Sequence, residues 1–273
     1  MIKQKKNARK PMLRVYSQWI LFFILTLMIS CTGDPIAKPT LYVIGDSTVK
    51  NGQGDGSDGL WGWGHFLVEH FDTTRISIEN HAIGGRSSRT FQTEGRWERV
   101  LSEMTPGDYV LIQFGHNDGS SLNKGRARGT LKGNGDEIKE VIMERDSTLE
   151  IVHTFGWYME KYITDFKAAG GISAVLSLIP RNIWTDDGKV IRASGDYGKW
   201  AAEAAANQGA FFIDLNDIVA VKYEQLGHQK VDSDLFLEDH THTTLEGARL
   251  NAAAVVEGVR AISDFPLKSY LSK

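Results

Sequence analysis

Three side chains in the sequence have the types that nucleophilic catalysis needs, namely Ser47, Asp239 and His242. A serine hydroxyl is a poor nucleophile at neutral pH, so it needs a nearby base and a carboxylate that holds the base in the right tautomer. Asp239 and His242 lie three residues apart in one loop and can supply both. The oxyanion formed by attack on a carbonyl needs hydrogen-bond donors. The backbone N–H groups of Ser47 and Gly85 and the side-chain amide of Asn117 are predicted to supply them.

The predicted strands bring these groups to one edge of a sheet. Residues 41–44 are apolar and two of them are β-branched, which is typical of a buried parallel strand. Gly45 then lets the chain turn sharply before Ser47. Gly85 and Asn117 follow two further predicted strands, and open α/β sheets bind ligands at the carboxyl ends of their strands. The strands after the first are predicted over residues 75–83, 109–114, 172–179 and 210–215.

Helical spacing of apolar residues separates these strands. It predicts helices over residues 60–71, 91–104, 148–169, 197–208 and 217–226. A last helix follows His242, with Thr243 and Glu246 spaced as a capping box ahead of an apolar stripe over residues 245–262. Five strands that alternate with helices predict a doubly wound parallel sheet. The fold class is therefore α/β, with a three-layer α/β/α sandwich.

One long segment fits neither helix nor strand. Residues 119–136 are rich in glycine and carry Lys124, Arg126 and Arg128, which predicts a basic loop. The segment follows the strand end that carries Asn117. We therefore expect it to lie near the substrate.

The N-terminal residues have the pattern of an export signal. Six basic residues between Lys3 and Arg14 precede an apolar run, which predicts a signal peptide over residues 1–30. Cys31 is the only cysteine, and its position resembles a bacterial lipobox, in which cleavage precedes a cysteine that becomes lipidated. Met28 stands where such boxes usually have leucine, so plain cleavage elsewhere stays open.

The expected location and partners follow from this pattern and from the composition. We expect an exported lipoprotein of the periplasm or outer membrane that contacts the membrane only through a lipid anchor at Cys31. Residues 31–39 are predicted to form a short tether, and residues 40–273 a single domain. A net charge of -3 with 41% hydrophobic residues describes an ordinary globular protein and shows no basic bias towards nucleic acid.

The order of the three catalytic candidates is that of α/β-hydrolases, but the Gly-x-Ser-x-Gly motif is missing around Ser47. The sequence instead resembles the SGNH, or GDSL, hydrolases, and within them the rhamnogalacturonan acetylesterases of carbohydrate esterase family twelve. The resemblance rests on four motifs and runs from about residue 41 to residue 262. They are Gly45-Asp46-Ser47, Gly84-Gly85-Arg86-Ser87, Gly115-His116-Asn117-Asp118 and Asp239-x-x-His242.

This resemblance implies a flavodoxin-like, five-stranded parallel sheet, the SGNH hydrolase fold. It implies an acyl-serine mechanism in which Ser47, Gly85, Asn117, Asp239 and His242 are the catalytic groups. The substrate would be pectic rhamnogalacturonan, an acetylated plant cell-wall polysaccharide, and no metal or organic cofactor would take part. Two alternatives stay open, since the motifs specify the chemistry and not the sugar. One is an esterase for acetylxylan or another acylated glycan, and the other is a glycan-binding surface lipoprotein that keeps the fold without turnover.

Further residues are candidates for substrate binding. Arg86 and Arg89 are suited to bidentate contacts with galacturonate carboxylates, or alternatively to bracing the neighbouring loop. Trp184 lies in a predicted loop on the active face, where its ring can stack on a sugar. Trp61 and Trp63 are similarly placed, although core packing is the commoner role of tryptophan.

The remaining histidines near the motifs suggest supporting roles. Asp239, His240 and His242 together would suit zinc, but no further motif with ligand spacing accompanies them, so we expect no metal. His116, next to Asn117, is expected to support the site and not to act as its base.

Overall fold

A five-stranded parallel sheet forms the centre of the computed structural model. Its spatial order, counted within this sheet, is the 2-1-3-4-5 order of flavodoxin-like folds. The predicted fold class is therefore confirmed. A separate antiparallel hairpin adds two strands. The strands are β1 (Thr40–Gly45), β2 (Ser77–Asn80), β3 (Tyr109–Gln113), β4 (Ile138–Ile142), β5 (Leu149–His153), β6 (Ile172–Leu176) and β7 (Phe211–Ile213), with β4 and β5 forming the hairpin.

Strand β1 shows why the sheet is covered on both faces. Leu41 and Val43 belong to one apolar cluster, and Tyr42 and Ile44 belong to another. Successive side chains of a strand point to opposite faces, so an uninterrupted apolar run buries both faces of the sheet. None of the four side chains is more than 2% exposed.

Helices form the two outer layers. The α-helices of six or more residues, among the residues that the structure describes, are α1 (Ser88–Thr93), α2 (Arg96–Glu103), α3 (Phe155–Ala168), α4 (Tyr197–Gln208), α5 (Leu215–Leu226) and α6 (Leu245–Ala261). Helices α1 to α4 pack on one face of the sheet. Helices α5 and α6, with the 3-10 helix Trp63–Glu69, pack on the other. Short helical turns also occur at His228–Lys230, Val231–Leu235 and Pro266–Tyr270.

Residues 148–153 differ from the helix predicted there. Strand β5 pairs antiparallel with β4, and α3 begins only at Phe155, after Thr154 caps it by accepting an N–H of the first turn. Ile151 and Phe155 are four residues apart, so the apolar pattern also fits a helix. The hairpin instead buries Val152 in a small apolar cluster of its own.

Two other helix boundaries differ from prediction. The helix predicted over residues 91–104 is divided into α1 and α2 at Gly95, whose φ of +70° lies in the left-handed region that glycine favours. The N-cap of α6 is Thr244, whose hydroxyl accepts an N–H of the first turn. Thr243, predicted as the cap, instead donates its hydroxyl to the carbonyl of Trp61.

The structure describes residues 38–50, 56, 59–193 and 195–273. Residues 39–273 form one compact unit. The predicted signal peptide, Cys31 and most of the predicted tether lie outside the described residues, so export and lipidation stay predictions. No helix within the described ranges is long and apolar enough to span a membrane.

Candidate active site

Ser47 lies in the turn directly after β1. Its neighbours Asp46 and Thr48 are buried, whereas Ser47 itself is partly exposed. Gly45 makes this turn possible, because a Cβ there would lie 2.7 Å from the carbonyl oxygen of Gln113. The end of β1 therefore presents one hydroxyl to the solvent from an otherwise buried segment.

Ser47, His242 and Asp239 form one hydrogen-bonded series. Ser47 Oγ lies 2.9 Å from His242 Nε2, and His242 Nδ1 lies 2.6 Å from Asp239 Oδ2. A carboxylate accepts hydrogen bonds only, so Nδ1 carries the proton and Nε2 is left to accept from the serine hydroxyl. This is the tautomer that a general base requires.

The loop that carries His242 is held by its own backbone. Asp239 Oδ1 accepts the N–H groups of Thr241 and His242 at 2.6 and 2.7 Å. Partial burial of Asp239 acts to raise its pKa, but the hydrogen bonds from His242 and Thr241 outweigh it, and the pKa lies below its ordinary value. Thr243 donates its hydroxyl to the carbonyl of Trp61 at 2.8 Å, which fixes the loop to a distant segment.

The two predicted oxyanion donors come from neighbouring loops. Gly84 passes close to the nucleophile, since a Cβ there would lie 3.7 Å from Ser47 Cβ. Gly85 follows with φ +76°. Asn117 is buried, and its side-chain nitrogen donates one hydrogen bond to the carbonyl of Arg86 at 2.8 Å. The amide has two N–H groups, so the second remains for another acceptor.

Asp118 ties these two loops together. Its Oδ1 accepts the backbone N–H and the hydroxyl of Ser88 at 3.1 and 2.5 Å, and its Oδ2 accepts the N–H of Gly115 at 3.1 Å. Asp118 is completely buried. One carboxyl group therefore fixes the positions of both loops that carry the oxyanion donors.

A second buried network lies beneath the nucleophile. Asp46 Oδ2 lies 3.3 Å from His116 Nδ1, and His116 Nε2 lies 3.1 Å from the carbonyl of Ile179. Asp46 also accepts the N–H and hydroxyl of Thr48. His116 thus contacts the turn of the nucleophile in the supporting position expected of it, whereas its pairing with Asp46 was not predicted.

The sequence of the chain matches a known family over most of its length. Residues 43–250 match the GDSL-like lipase/acylhydrolase family, a span that includes the Ser47 turn and the loop of His242. The chain belongs to this family. It is therefore a carboxylic ester hydrolase, and the resemblance drawn from the four motifs is confirmed.

Relatives of this GDSL hydrolase cover most of the chain. A rhamnogalacturonan acetylesterase of Emericella nidulans is 34% identical over 220 residues, covering 81% of this chain and 84% of the relative. The rhamnogalacturonan acetylesterase RhgT of Bacillus subtilis is 26% identical over 245 residues, which cover 85% of this chain and 93% of RhgT. The structure of Axe2, an acetylxylan esterase of Geobacillus stearothermophilus, matches with a TM-score of 0.56 at 18% identity. The match covers 81% of this chain and 94% of Axe2. That last similarity concerns the fold alone.

The structure places Arg89 of this GDSL hydrolase in the interior. The side chain is 0% exposed, and its Nε donates to Glu150 at 2.7 Å. Its Nη1 donates to the carbonyls of Leu122 and Gly129. A galacturonate carboxylate cannot reach this guanidinium, so the proposed substrate contact is replaced by the alternative, bracing of the basic loop.

Arg86 is also engaged within the protein. Its side chain is 32% exposed, with Nε 3.0 Å from Glu94 Oε2 and Nη1 donating to the carbonyl of Gly84 at 3.0 Å. Its charge is therefore already paired at the rim of the loop that carries Gly85, here called the oxyanion loop. The bracing alternative accounts for both contacts of Arg86.

The tryptophans have different environments. Trp63 is 0% exposed and donates to Gln113 at 2.9 Å, so it is a core residue. Trp184 is partly buried against the core, donates to Asn182 at 2.7 Å, and has its ring 5.1 Å from that of His228. These contacts account for Trp184 as a packing residue, and they give no support to sugar stacking.

A cavity of about 420 Å³ lies at the carboxyl ends of β3 and β6. It is lined by His116, Ser120, Arg181 and Tyr197, among others. Arg181 donates to the hydroxyl of Thr241 and to the carbonyl of His116 at 3.3 Å, so it links the cavity wall to the catalytic loop. The GDSL hydrolase therefore has a hollow at the carboxyl edge of its sheet, and Arg181 connects the wall of this hollow to the loop of His242.

One surface group has ligands suited to a metal. Within the described ranges, only Glu79, His81 and Glu103 bring three such atoms within 4.8 Å of one another. His81 Nε2 lies 3.1 Å from Glu79 Oε2 and 3.8 Å from Glu103 Oε2, so contacts between these three side chains account for the group. It includes none of the catalytic candidates.

Asp118 provides a prediction about stability and pH. Burial raises its pKa to about 7, although the hydrogen bonds from Ser88 and Gly115 oppose the rise. An unfolded aspartate has a pKa of about 3.9, so between about pH 4 and pH 7 the folded state holds the extra proton. Stability contributed by this carboxyl therefore falls as the pH rises through that range.

We expect Asp118→Asn to remove this titration. The free energy of unfolding of the wild type should then decrease relative to that of the variant between about pH 4.5 and about pH 7.5, as measured by urea unfolding. A difference that does not change with pH would show that the three donors keep Asp118 ionised throughout.

Proposed function

We propose that this esterase removes acetyl groups from pectic rhamnogalacturonan through an acyl-serine intermediate. The observation that carries the proposal is the series Ser47 Oγ, His242 and Asp239, with contacts of 2.9 and 2.6 Å. The rhamnogalacturonan acetylesterases that are similar over most of the chain support this polysaccharide as the substrate.

Acylation is the first half of the proposed reaction. His242 Nε2 takes the proton of Ser47 while the serine oxygen attacks the acetyl carbonyl carbon. The oxyanion accepts hydrogen bonds from the N–H groups of Ser47 and Gly85 and from the amide of Asn117. When the ester C–O bond breaks, His242 gives its proton to the departing sugar hydroxyl. Acetyl-Ser47 remains.

Deacylation reverses the roles of the same groups. His242 takes a proton from water, the resulting hydroxide attacks the acetyl-enzyme, and acetate leaves as the proton returns to Ser47. The lowered pKa of Asp239 keeps its carboxylate charged, so it stabilises the imidazolium formed in each half. The named residues account for every proton and bond in the scheme, which therefore uses no cofactor.

Acetate release from two polymers tests the proposed substrate. Purified enzyme is given acetylated rhamnogalacturonan and acetylxylan at matched acetyl concentration, with Ser47→Ala as the blank. We expect faster serine-dependent release from the pectic polymer. Release from acetylxylan alone would keep the mechanism and discard the pectic substrate.

The non-enzymatic alternative predicts a different outcome in the same assay. A glycan-binding lipoprotein would bind these polymers without releasing acetate. Glycan binding alone does not require a serine hydroxyl that lies 2.9 Å from a histidine whose other nitrogen contacts a carboxylate. This arrangement supports turnover over binding alone.

We further propose that the protein is exported and anchored by a lipid at Cys31. The basic residues, the apolar run and the position of Cys31 in the sequence support this. In bacterial cells that express the full chain, Cys31→Ser should move the protein from the membrane fraction to the soluble periplasmic fraction. Unchanged fractionation would contradict the anchor.

A further inference from the structure

The basic loop returns to the oxyanion loop, and two of its arginines meet there. A Cβ built on Gly85 would lie 3.0 Å from Arg126 Nη1 and 3.3 Å from Arg128 Nη1. The two terminal nitrogens therefore lie within about 6 Å of each other. These nitrogens occupy the space that a side chain at position 85 would need.

Arg128 is held by the loop of Gly85 and by Ser120 of its own basic loop. Its Nη1 donates to the carbonyl of Gly85 at 3.1 Å, and its Nε donates to the hydroxyl of Ser120 at 3.2 Å. Ser120 lines the cavity of about 420 Å³ at the carboxyl ends of β3 and β6. Arg128 thus lies between the oxyanion loop and this cavity, with a guanidinium that is only partly buried.

Arg126 and Arg128 are the arginines of this region whose charge is not neutralised by a close carboxylate. Nearby, Arg86 pairs with Glu94 and Arg89 pairs with Glu150. By contrast, no carboxylate oxygen of the described residues lies within 4.0 Å of Arg126 or Arg128. Burial and then the charge of Arg126 lower the pKa of Arg128, as expected for two adjacent cations.

Other charged groups nearby do not neutralise the positive charge of Arg126 and Arg128. Glu94 and Glu150 line the same surface hollow as Arg126, but each is already bonded to an arginine. The buried carboxyls Asp46 and Asp118 attract Arg128 from the interior. They have their own hydrogen-bond donors and cannot leave the core to meet the guanidinium groups.

We propose that Arg126 and Arg128 form a carboxylate subsite. The subsite holds a uronate of the sugar chain while the carbonyl oxygen of the acetyl group that is removed lies in the oxyanion hole. Guanidinium groups recognise carboxylates through paired, charge-assisted hydrogen bonds, and two of them beside one glycine provide several donors. The inference rests on the proposed function and assigns the role first considered for Arg86 and Arg89 to this pair. It makes the enzyme selective for acetylated polyuronates over neutral acetylated glycans.

The test uses two substrates, one with free uronate carboxylates and one in which a methyl ester removes their charge. Acetylated rhamnogalacturonan oligosaccharides are compared with the same oligosaccharides whose galacturonate carboxyls have been converted to methyl esters. The measured quantity is the ratio of kcat/KM for the charged substrate to that for the esterified one. For the wild type we expect a ratio above one that decreases as the salt concentration rises.

Arg126→Gln is the main variant, because Arg126 is exposed and its replacement spares the fold. It should lower the ratio by on the order of tenfold, the effect of losing a charge-assisted contact. Arg128→Lys keeps the charge but loses the planar group, and it should lower the ratio in the same direction. The matched control is Arg99→Gln, which removes one charge from a side chain that is 75% exposed and paired with Glu103.

The outcomes separate the subsite from the proposed function. If both arginine variants keep the wild-type ratio, or lower kcat/KM equally for both substrates, the subsite is wrong and the arginines only brace the oxyanion loop. The same conclusion follows if Arg99→Gln changes the ratio as much as Arg126→Gln. If the wild type hydrolyses p-nitrophenyl acetate but releases acetate from neither oligosaccharide, the proposed function fails and the subsite fails with it.

Discussion

Replacement of Ser47 by alanine is expected to lower kcat for ester hydrolysis by about 10³-fold or more. The variant loses the hydroxyl oxygen that lies 2.9 Å from His242 Nε2, so no acyl-enzyme can form on residue 47. The fold should be retained, because the turn is held by bonds from Thr48 to Asp46 and not by the serine hydroxyl. Initial rates on p-nitrophenyl acetate and on an acetylated oligosaccharide measure the loss.

Ser102→Ala is the matched control for this variant. Ser102 is exposed on α2 and donates its hydroxyl to the carbonyl of Arg99, away from the catalytic loops. It should show wild-type turnover. Near-normal turnover by Ser47→Ala, with correct folding, would remove Ser47 as the nucleophile.

Asp239→Asn is expected to lower kcat by about 10²- to 10⁴-fold. The asparagine oxygen can still accept the N–H groups of Thr241 and His242, so the loop should keep its shape. The amide nitrogen would then face His242 Nδ1, which must become an acceptor. The proton moves to Nε2, and the imidazole can no longer take the proton of Ser47.

The adjacent carboxylate supplies the control for this second variant. Glu238→Gln makes the same chemical change at an exposed side chain one residue away, and it should keep wild-type kcat. Comparable losses in both variants would indicate a general charge effect. Wild-type turnover by Asp239→Asn would show that the carboxylate does not determine the tautomer of His242.

The parts of the site that the sequence predicted are those carried by local patterns. The apolar run of β1 is buried on both faces, so its strand and the turn that follows it at Ser47 are explained by residue types alone. Parallel strands end at one edge, and this brought the Gly85 and Asn117 loops to the serine. The close spacing of Asp239 and His242 predicted their contact directly.

The features that the sequence did not predict depend on distant partners. Arg89 is buried against Glu150, which lies 61 residues further along the chain. Glu150 belongs to a hairpin strand, whereas the apolar spacing near Ile151 predicted a helix there. The pairing of Asp46 with His116 joins residues 70 apart. The approach of Arg126 to Gly85 likewise depends on how a glycine-rich loop folds back, which no local pattern specifies.

Labelling with a fluorophosphonate, followed by peptide mapping, tests the central claim most directly. Such a probe reacts only with a serine activated by a neighbouring base. The account predicts a single modified residue, Ser47, no labelling of the Ser47→Ala variant, and slow labelling of Asp239→Asn. Modification of a different serine, or an unmodified protein that still releases acetate, would contradict it.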